Sequence, residues 1–249
     1  MKTIAPSSLI AFFMLCGCSS STGTSDEGAS DSPGAGDTLR LISEQKSFSS
    51  GDIVITNYEY DDSGNLIGKI IGNARLTYNT DTDGTLINSV YSDDGLTSRD
   101  SQIYHYDAIG GLRRVDSLGF IEGVGVLGVS FFDLYKFEGD LASSLERKIL
   151  PFEEITINAE IDDSAGSTVS FTEFKYDGER LVRELIDADV DGVVDRLRDY
   201  NYNSDGTLSS RLQTGTSANS SVFVYEQGAC NHNWGNSTDR YFCVTNNGL

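Results

Sequence analysis

Proline and histidine are scarce in this chain, with three prolines and two histidines in 249 residues. Two histidines leave no zinc-type His pair, and neither a Gly-x-Ser-x-Gly elbow nor a phosphate loop occurs. His105 sits between Tyr104 and Tyr106, at what reads as an outward position of a strand. His232 stands in a loop beside Trp234. Basic residues are also few: 18 Lys and Arg face 38 Asp and Glu, for a formal net charge of −20. Such a chain repels nucleic acid and anionic lipid head groups, and it suits divalent cations or basic partners. The same charge also serves plain solubility in an ion-rich space. No apolar run reaches the roughly 20 residues that span a bilayer. Acidic pairs such as Glu153 and Glu154 are too common in this composition to mark a glycosidase. An enzyme is therefore not expected.

What the chain does have is aromatic and small. It holds 12 Tyr, 12 Phe and 26 Gly, and 38% of its residues are hydrophobic. That is enough to bury a core, and the mix favours pleated structure.

The N-terminus carries a short basic start at Lys2 and an apolar run from Leu9 to Leu15, followed by Leu15-Cys16-Gly17-Cys18. Position and length are those of a cleavable signal. The four residues resemble the bacterial lipobox. That resemblance implies a signal peptide over residues 1–18, acylation of Cys18, and attachment to a membrane through the lipid. By the same resemblance, Ser19 implies routing to the outer membrane. Several acyl chains anchor durably, at about 0.8 kcal/mol per buried CH₂. Residues 19–38 are rich in Ser, Gly and Asp and read as a flexible tether, leaving 39–249 to fold.

Cys16 leaves with the signal and Cys18 takes the lipid, so Cys230 and Cys243 remain. In an oxidising envelope they pair as a disulfide, worth about 3 kcal/mol for a loop of this size. A metal pair with His232 lacks ligands.

Internal repeats are the most informative feature. Tyr58-Glu-Tyr60-Asp61-Asp-Ser-Gly64-Asn-Leu66, Tyr104-His-Tyr106-Asp107-Ala-Ile-Gly110-Gly-Leu112 and Tyr200-Asn-Tyr202-Asn203-Ser-Asp-Gly206-Thr-Leu208 share one template. Looser copies run from Tyr78 to Leu86, Tyr135 to Leu141 and Phe174 to Leu181. Tyr-x-Tyr puts two rings on one face of a strand. Asp or Asn opens a turn, Gly supplies a positive φ, and Leu starts the returning strand. Each unit predicts a β-hairpin. Its equivalent tyrosines read as stacking core in preference to a carbohydrate platform. Tyr-x-Tyr-Asp-x-x-Gly-x-Leu resembles the YD repeat of Rhs-type proteins. The resemblance covers about residues 52–226 and implies tandem hairpins in a continuous spiralling antiparallel sheet. The expected fold is all-β, with about six hairpins forming a curved, elongated sheet capped by the disulfide segment. Leu141, Leu145 and Ile149 lie at helical spacing and admit a short helix near 141–150, ending before Pro151.

Asp187-Ala-Asp189-Val-Asp191-Gly192-Val193-Val-Asp195 matches the opening of a calcium loop. A hard cation takes several oxygens at once, and alternate carboxylates of a wrapping loop converge on it. Asp187, Asp189, Asp191 and Asp195 would supply side-chain oxygen and Val193 its carbonyl. Arg198 stands where an EF-hand has its bidentate Glu. The run therefore resembles the shortened loops of extracellular repeat proteins, which implies weak, structural Ca²⁺. An acidic, solvated hairpin turn is the alternative. Trp234 and Tyr241, in the terminal loop, are the candidates for an exposed contact. The expected protein is a non-enzymatic, outer-membrane-anchored lipoprotein that binds an envelope protein or glycan, or acts as a scaffold. A hydrolase acting on envelope polymers through carboxylates is the alternative; it predicts two acids facing each other across a groove.

Overall fold

The computed structural model describes residues 38–82, 85–92, 98–108, 110–121, 126–150, 162–230 and 242–245. Cys18, the tether through residue 37, Glu153, Glu154, His232, Trp234 and Tyr241 lie outside them. The elements in chain order are β1 (Thr38–Phe48), β2 (Ile53–Tyr60), β3 (Leu66–Ile71), β4 (Ala74–Thr80), β5 (Leu86–Ser92), β6 (Ser98–Tyr106), β7 (Leu112–Ile121), β8 (Val126–Glu138), β9 (Leu141–Ile149), β10 (Ser167–Asp177), β11 (Arg180–Asp187), β12 (Arg196–Tyr202), β13 (Leu208–Gly215), β14 (Asn219–Gln227) and β15 (Cys243–Thr245). Each strand through β14 pairs antiparallel with the next, and β14 returns to β1 from Leu39↔Gln227 to Phe48↔Asn219. The protein is thus all-β, as expected. The sheet is a closed 14-strand barrel, which corrects the expectation of an open, curved, elongated sheet.

The six template units are the hairpins β2–β3, β4–β5, β6–β7, β8–β9, β10–β11 and β12–β13, and their turns gather at one rim. The physical reason for closure recurs at the same place in each. The register slips beside the turn at Glu59/Tyr60, Asn79/Thr80, His105/Tyr106, Lys136/Phe137, Lys175/Tyr176 and Asn201/Tyr202. A bulge bends its strand and sharpens the right-handed twist. Six bends of one sense curl the sheet until its first and last strands meet.

The turns are built as the residues suggest. Asp61, Asp81 and Asp107 each accept the backbone N–H four residues ahead, from Asn65, Thr85 and Gly111, at 2.8–2.9 Å. Gly64, Gly110 and Gly206 have φ of +84°, +85° and +86°, a region where a Cβ is unfavourable.

Residues 141–149 form strand β9, so the helix admitted there is corrected. A spacing of four is an even number, so Leu141, Leu145 and Ile149 fit period two as well as period 3.6. Pairing with β8 decides between them.

Pairing register sorts the side chains into two sets. One, facing the lumen, includes the buried Leu41, Leu66, Leu86, Leu112, Leu181 and Leu208. These form a ring at the turn rim, and Ala142, Phe174 and Tyr200 extend the core around part of it. The other set faces out, with Ile53, Ile55, Val222 and Val224 about half exposed. The same outer wall carries the ion pairs Arg75–Glu59, Arg183–Asp199 and Arg40–Glu226.

Candidate functional site

The template tyrosines stitch neighbouring strands together. The second Tyr of each exact copy donates its hydroxyl to a leucine carbonyl on the preceding strand. Tyr60 reaches Leu41 at 2.7 Å, Tyr106 reaches Leu86 at 2.8 Å, and Tyr202 reaches Leu181 at 2.9 Å. The first Tyr of each bonds a polar side chain further along the lumen: Tyr58 to Glu44, Tyr104 to Gln102 and Tyr200 to Glu184. All six hydroxyls are engaged within the wall, as the core reading requires.

The turn rim is filled by the C-terminal segment. β15 pairs with Thr38–Arg40 of β1, and Cys243 is joined to Cys230 with Cα atoms 5.7 Å apart. Val244 is fully buried, and Phe242 meets the Tyr58 ring edge-on at 5.2 Å between centroids. The segment lies tight against two turns. A Cβ placed on Gly64 falls 2.4 Å from the Ala229 carbonyl carbon, and one on Gly206 falls 3.1 Å from Val244.

Away from this rim the lumen is polar. Glu44 accepts from Arg211 at 2.5 Å and from Ser221 at 2.7 Å. Glu184 accepts from Arg198 at 2.7 Å and from Tyr200 at 2.6 Å. Asp133 takes both prongs of Arg147 at 2.8 Å. Buried ions need such partners, because each loses its water. Burial raises the Tyr58 and Tyr200 phenols well above their usual range, and the neighbouring Glu44 and Glu184 charges push the same way. Between β8 and β13 the side chains leave a cavity of about 330 Å³. Arg147, Arg196, Arg198 and Arg211 line it, with Glu184 and Tyr200. A second lumenal cavity of about 360 Å³ lies at Lys69, Tyr91, Gln102 and Phe131.

The sequence does not join these arginines in a motif, and Arg198 stands out only as the residue in place of an EF-hand Glu. A weak signal exists: Arg196, Arg198 and Tyr200 alternate along one strand and so share a face.

The Asp-rich loop connects β11 to β12 at the opposite rim. Asp187, Asp189 and Asp195 each bring a carboxylate oxygen within 4.8 Å of the others. The loop also uses these groups internally. Asp187 accepts the Val190 and Gly192 N–H groups, Asp195 that of Ala188, and Asp191 that of Val193. Burial would raise the Asp187 carboxyl, but backbone hydrogen bonds from Gly192 and Val190 outweigh it and hold the pKa low. Asp191 and Val193 are exposed, and Asp191 is not part of the three-carboxylate group.

His105 faces out, as expected, with Nε2 at 2.8 Å from Asp116. Asp116 is also held by Arg114 at 2.5 Å, and Arg114 and Arg113 both reach Asp163 of the β9–β10 connection. This network fastens that connection to the outer wall.

No family model matches the sequence, and no curated protein matches it. Among solved structures, a porin-like protein from Bacteroides uniformis is similar over 76% of this chain and 96% of its own, at 12% identity and a TM-score of 0.41. A putative outer membrane lipoprotein-sorting protein domain from Vibrio parahaemolyticus is 9% identical over 78% of this chain and 85% of its own, with a TM-score of 0.26. A TcdB2-TccC3 structure is 12% identical over 69% of this chain and 10% of its own, with a TM-score of 0.28.

Proposed function

We propose that this is a non-enzymatic lipoprotein of the bacterial envelope, held at the outer membrane through Cys18, whose barrel lumen is a binding chamber. One observation carries the reading. The closed barrel is filled at the turn rim by leucines, tyrosines and the C-terminal strand, yet keeps a polar cavity of about 330 Å³ and a second, more apolar one of about 360 Å³ behind that plug. Cavities of this size are at the lower end of small-molecule sites. The lumenal carboxylates of Glu44, Asp133 and Glu184, among the described residues, are each bound by an arginine. Acids so engaged make poor proton donors, which favours binding over carboxylate hydrolysis. The outer wall favours a lipid anchor over a spanning barrel. Its ion pairs interrupt the apolar surface that a lipid-embedded wall needs as a continuous band.

The resemblance to YD repeats gains mechanical support from six hairpins that share a turn rim and a bulge position. We take the chain to be a short, ring-closed version of such an array. Calcium remains our assignment for the Asp187, Asp189 and Asp195 carboxylates, as a hard-cation clip across the loop.

The anchor and chamber are tested together. Labelled fatty acid enters the wild type and not Cys18→Ala. Native mass spectrometry of protein extracted from envelopes shows a non-covalent small-molecule adduct that survives incubation unchanged. Label in both proteins ends the anchor claim, and a consumed adduct ends the non-enzymatic claim.

A further inference from the structure

The cavity between β8 and β13 carries more positive charge than its carboxylates balance. Three of its arginines have acidic partners: Arg147 with Asp133, Arg198 with Glu184 and Arg211 with Glu44. Arg196 has none among the described residues, and its Nε is buried without a hydrogen-bond acceptor. A buried donor left unmet is costly, more so when charged. The surplus sits inside a protein whose net charge is −20, so it serves no general attraction between the molecule and anions. The rest of the lining is the hydroxyls of Ser170 and Thr172, the rings of Tyr135, Phe174 and Tyr200, and the aliphatic Leu145 and Ile186.

We propose that this cavity binds a small oxyanion, a carboxylate or phosphate carried on a hydroxyl-rich body such as an acidic sugar, with Arg196 as the group that meets the anion. The inference rests on the lumen being a binding chamber and adds the chemistry of what enters it. Guanidinium is suited to the task, since its planar fork matches both carboxylate and phosphate. Aromatic faces and hydroxyls in the same wall suit a ring bearing several hydroxyls. Burial lowers the Lys46 ammonium below its ordinary pKa, and Arg211 and Arg198 add to this while Glu44 opposes it.

The test uses the full-length protein in mild detergent, titrated calorimetrically with D-glucuronate, glucose 1-phosphate and neutral D-glucose. At least one anionic sugar binds, D-glucose binds at least tenfold more weakly, and the comparison of the two anions tells carboxylate from phosphate. Arg196→Gln weakens the anion by about tenfold or more, Arg196→Lys by less, and Arg113→Gln on the outer wall leaves it unchanged. If Arg196→Gln does not fold, Ser170→Asp, which sets a like charge in the cavity, must give the same loss. Silence from both anions overturns the proposal, as does binding that ignores both cavity variants. Equal binding of D-glucose and D-glucuronate keeps the chamber and removes the anion.

Discussion

Gly64 and Gly110 hold the same place in two copies of one turn, with φ of +84° and +85°. Their surroundings differ. A Cβ on Gly110 meets nothing within 4 Å, while one on Gly64 falls 2.4 Å from the backbone of Ala229. Gly110→Ala should therefore cost only the left-handed strain, about 1–2 kcal/mol. Gly64→Ala adds displacement of the C-terminal segment and should cost roughly 3 kcal/mol or more. Denaturant melts of the two variants decide this. Equal losses would mean that the segment gives way freely. The strain at both glycines was legible, because the template demands a turn there. The contact at Gly64 was not, because Ala229 is far along the chain. The arginines of the lumen show the same divide. Each is an ordinary residue in its own strand, and only closure brings Arg147, Arg198 and Arg211 around one cavity.

At the level of elements, the hairpins were legible in full. Asp, Gly and Leu act within the unit, through a carboxylate acceptor, a positive φ and a buried side chain, while the Tyr hydroxyl reaches the strand before it. The 141–149 strand was ambiguous, because a four-residue spacing serves two periods and the partner strand decides. The Asp loop divides its candidate ligands. Asp187, Asp189 and Asp195 converge, while Asp191 spends its carboxylate on the Val193 N–H. If calcium occupies the loop, it raises the melting temperature of the wild type but not of Asp189→Ala, and Asp191→Ala keeps the response. Identical wild-type melts in calcium and in chelator would dismiss the metal.

At the scale of the whole molecule, the tyrosine stitches set a limit on the alkaline side. Burial raises the phenols of Tyr58, Tyr60, Tyr106, Tyr200, Tyr202 and Tyr225 above their ordinary value of 10.0, to about 12 for Tyr202. The fold thus favours the neutral, protonated form. The stability this represents is complete below pH 10, and it drains away as pH climbs through the raised values. An absorbance titration should show these tyrosines ionising late, together with loss of the β circular dichroism signal. Smooth ionisation of all 12 near pH 10 with the barrel intact would contradict it.

Closure itself was not legible, since it depends on summed bends and on the fit of β14 to β1, two strands outside the six repeat units. That seam joins Leu39 to Gln227, nearly the full span of the described chain. Biosynthesis runs in one direction, so the earliest strand must wait for the latest before its second edge is covered. Until then the growing chain offers two bare ladders to any neighbour, and the ring can lock only after its final hairpin and last strand have emerged.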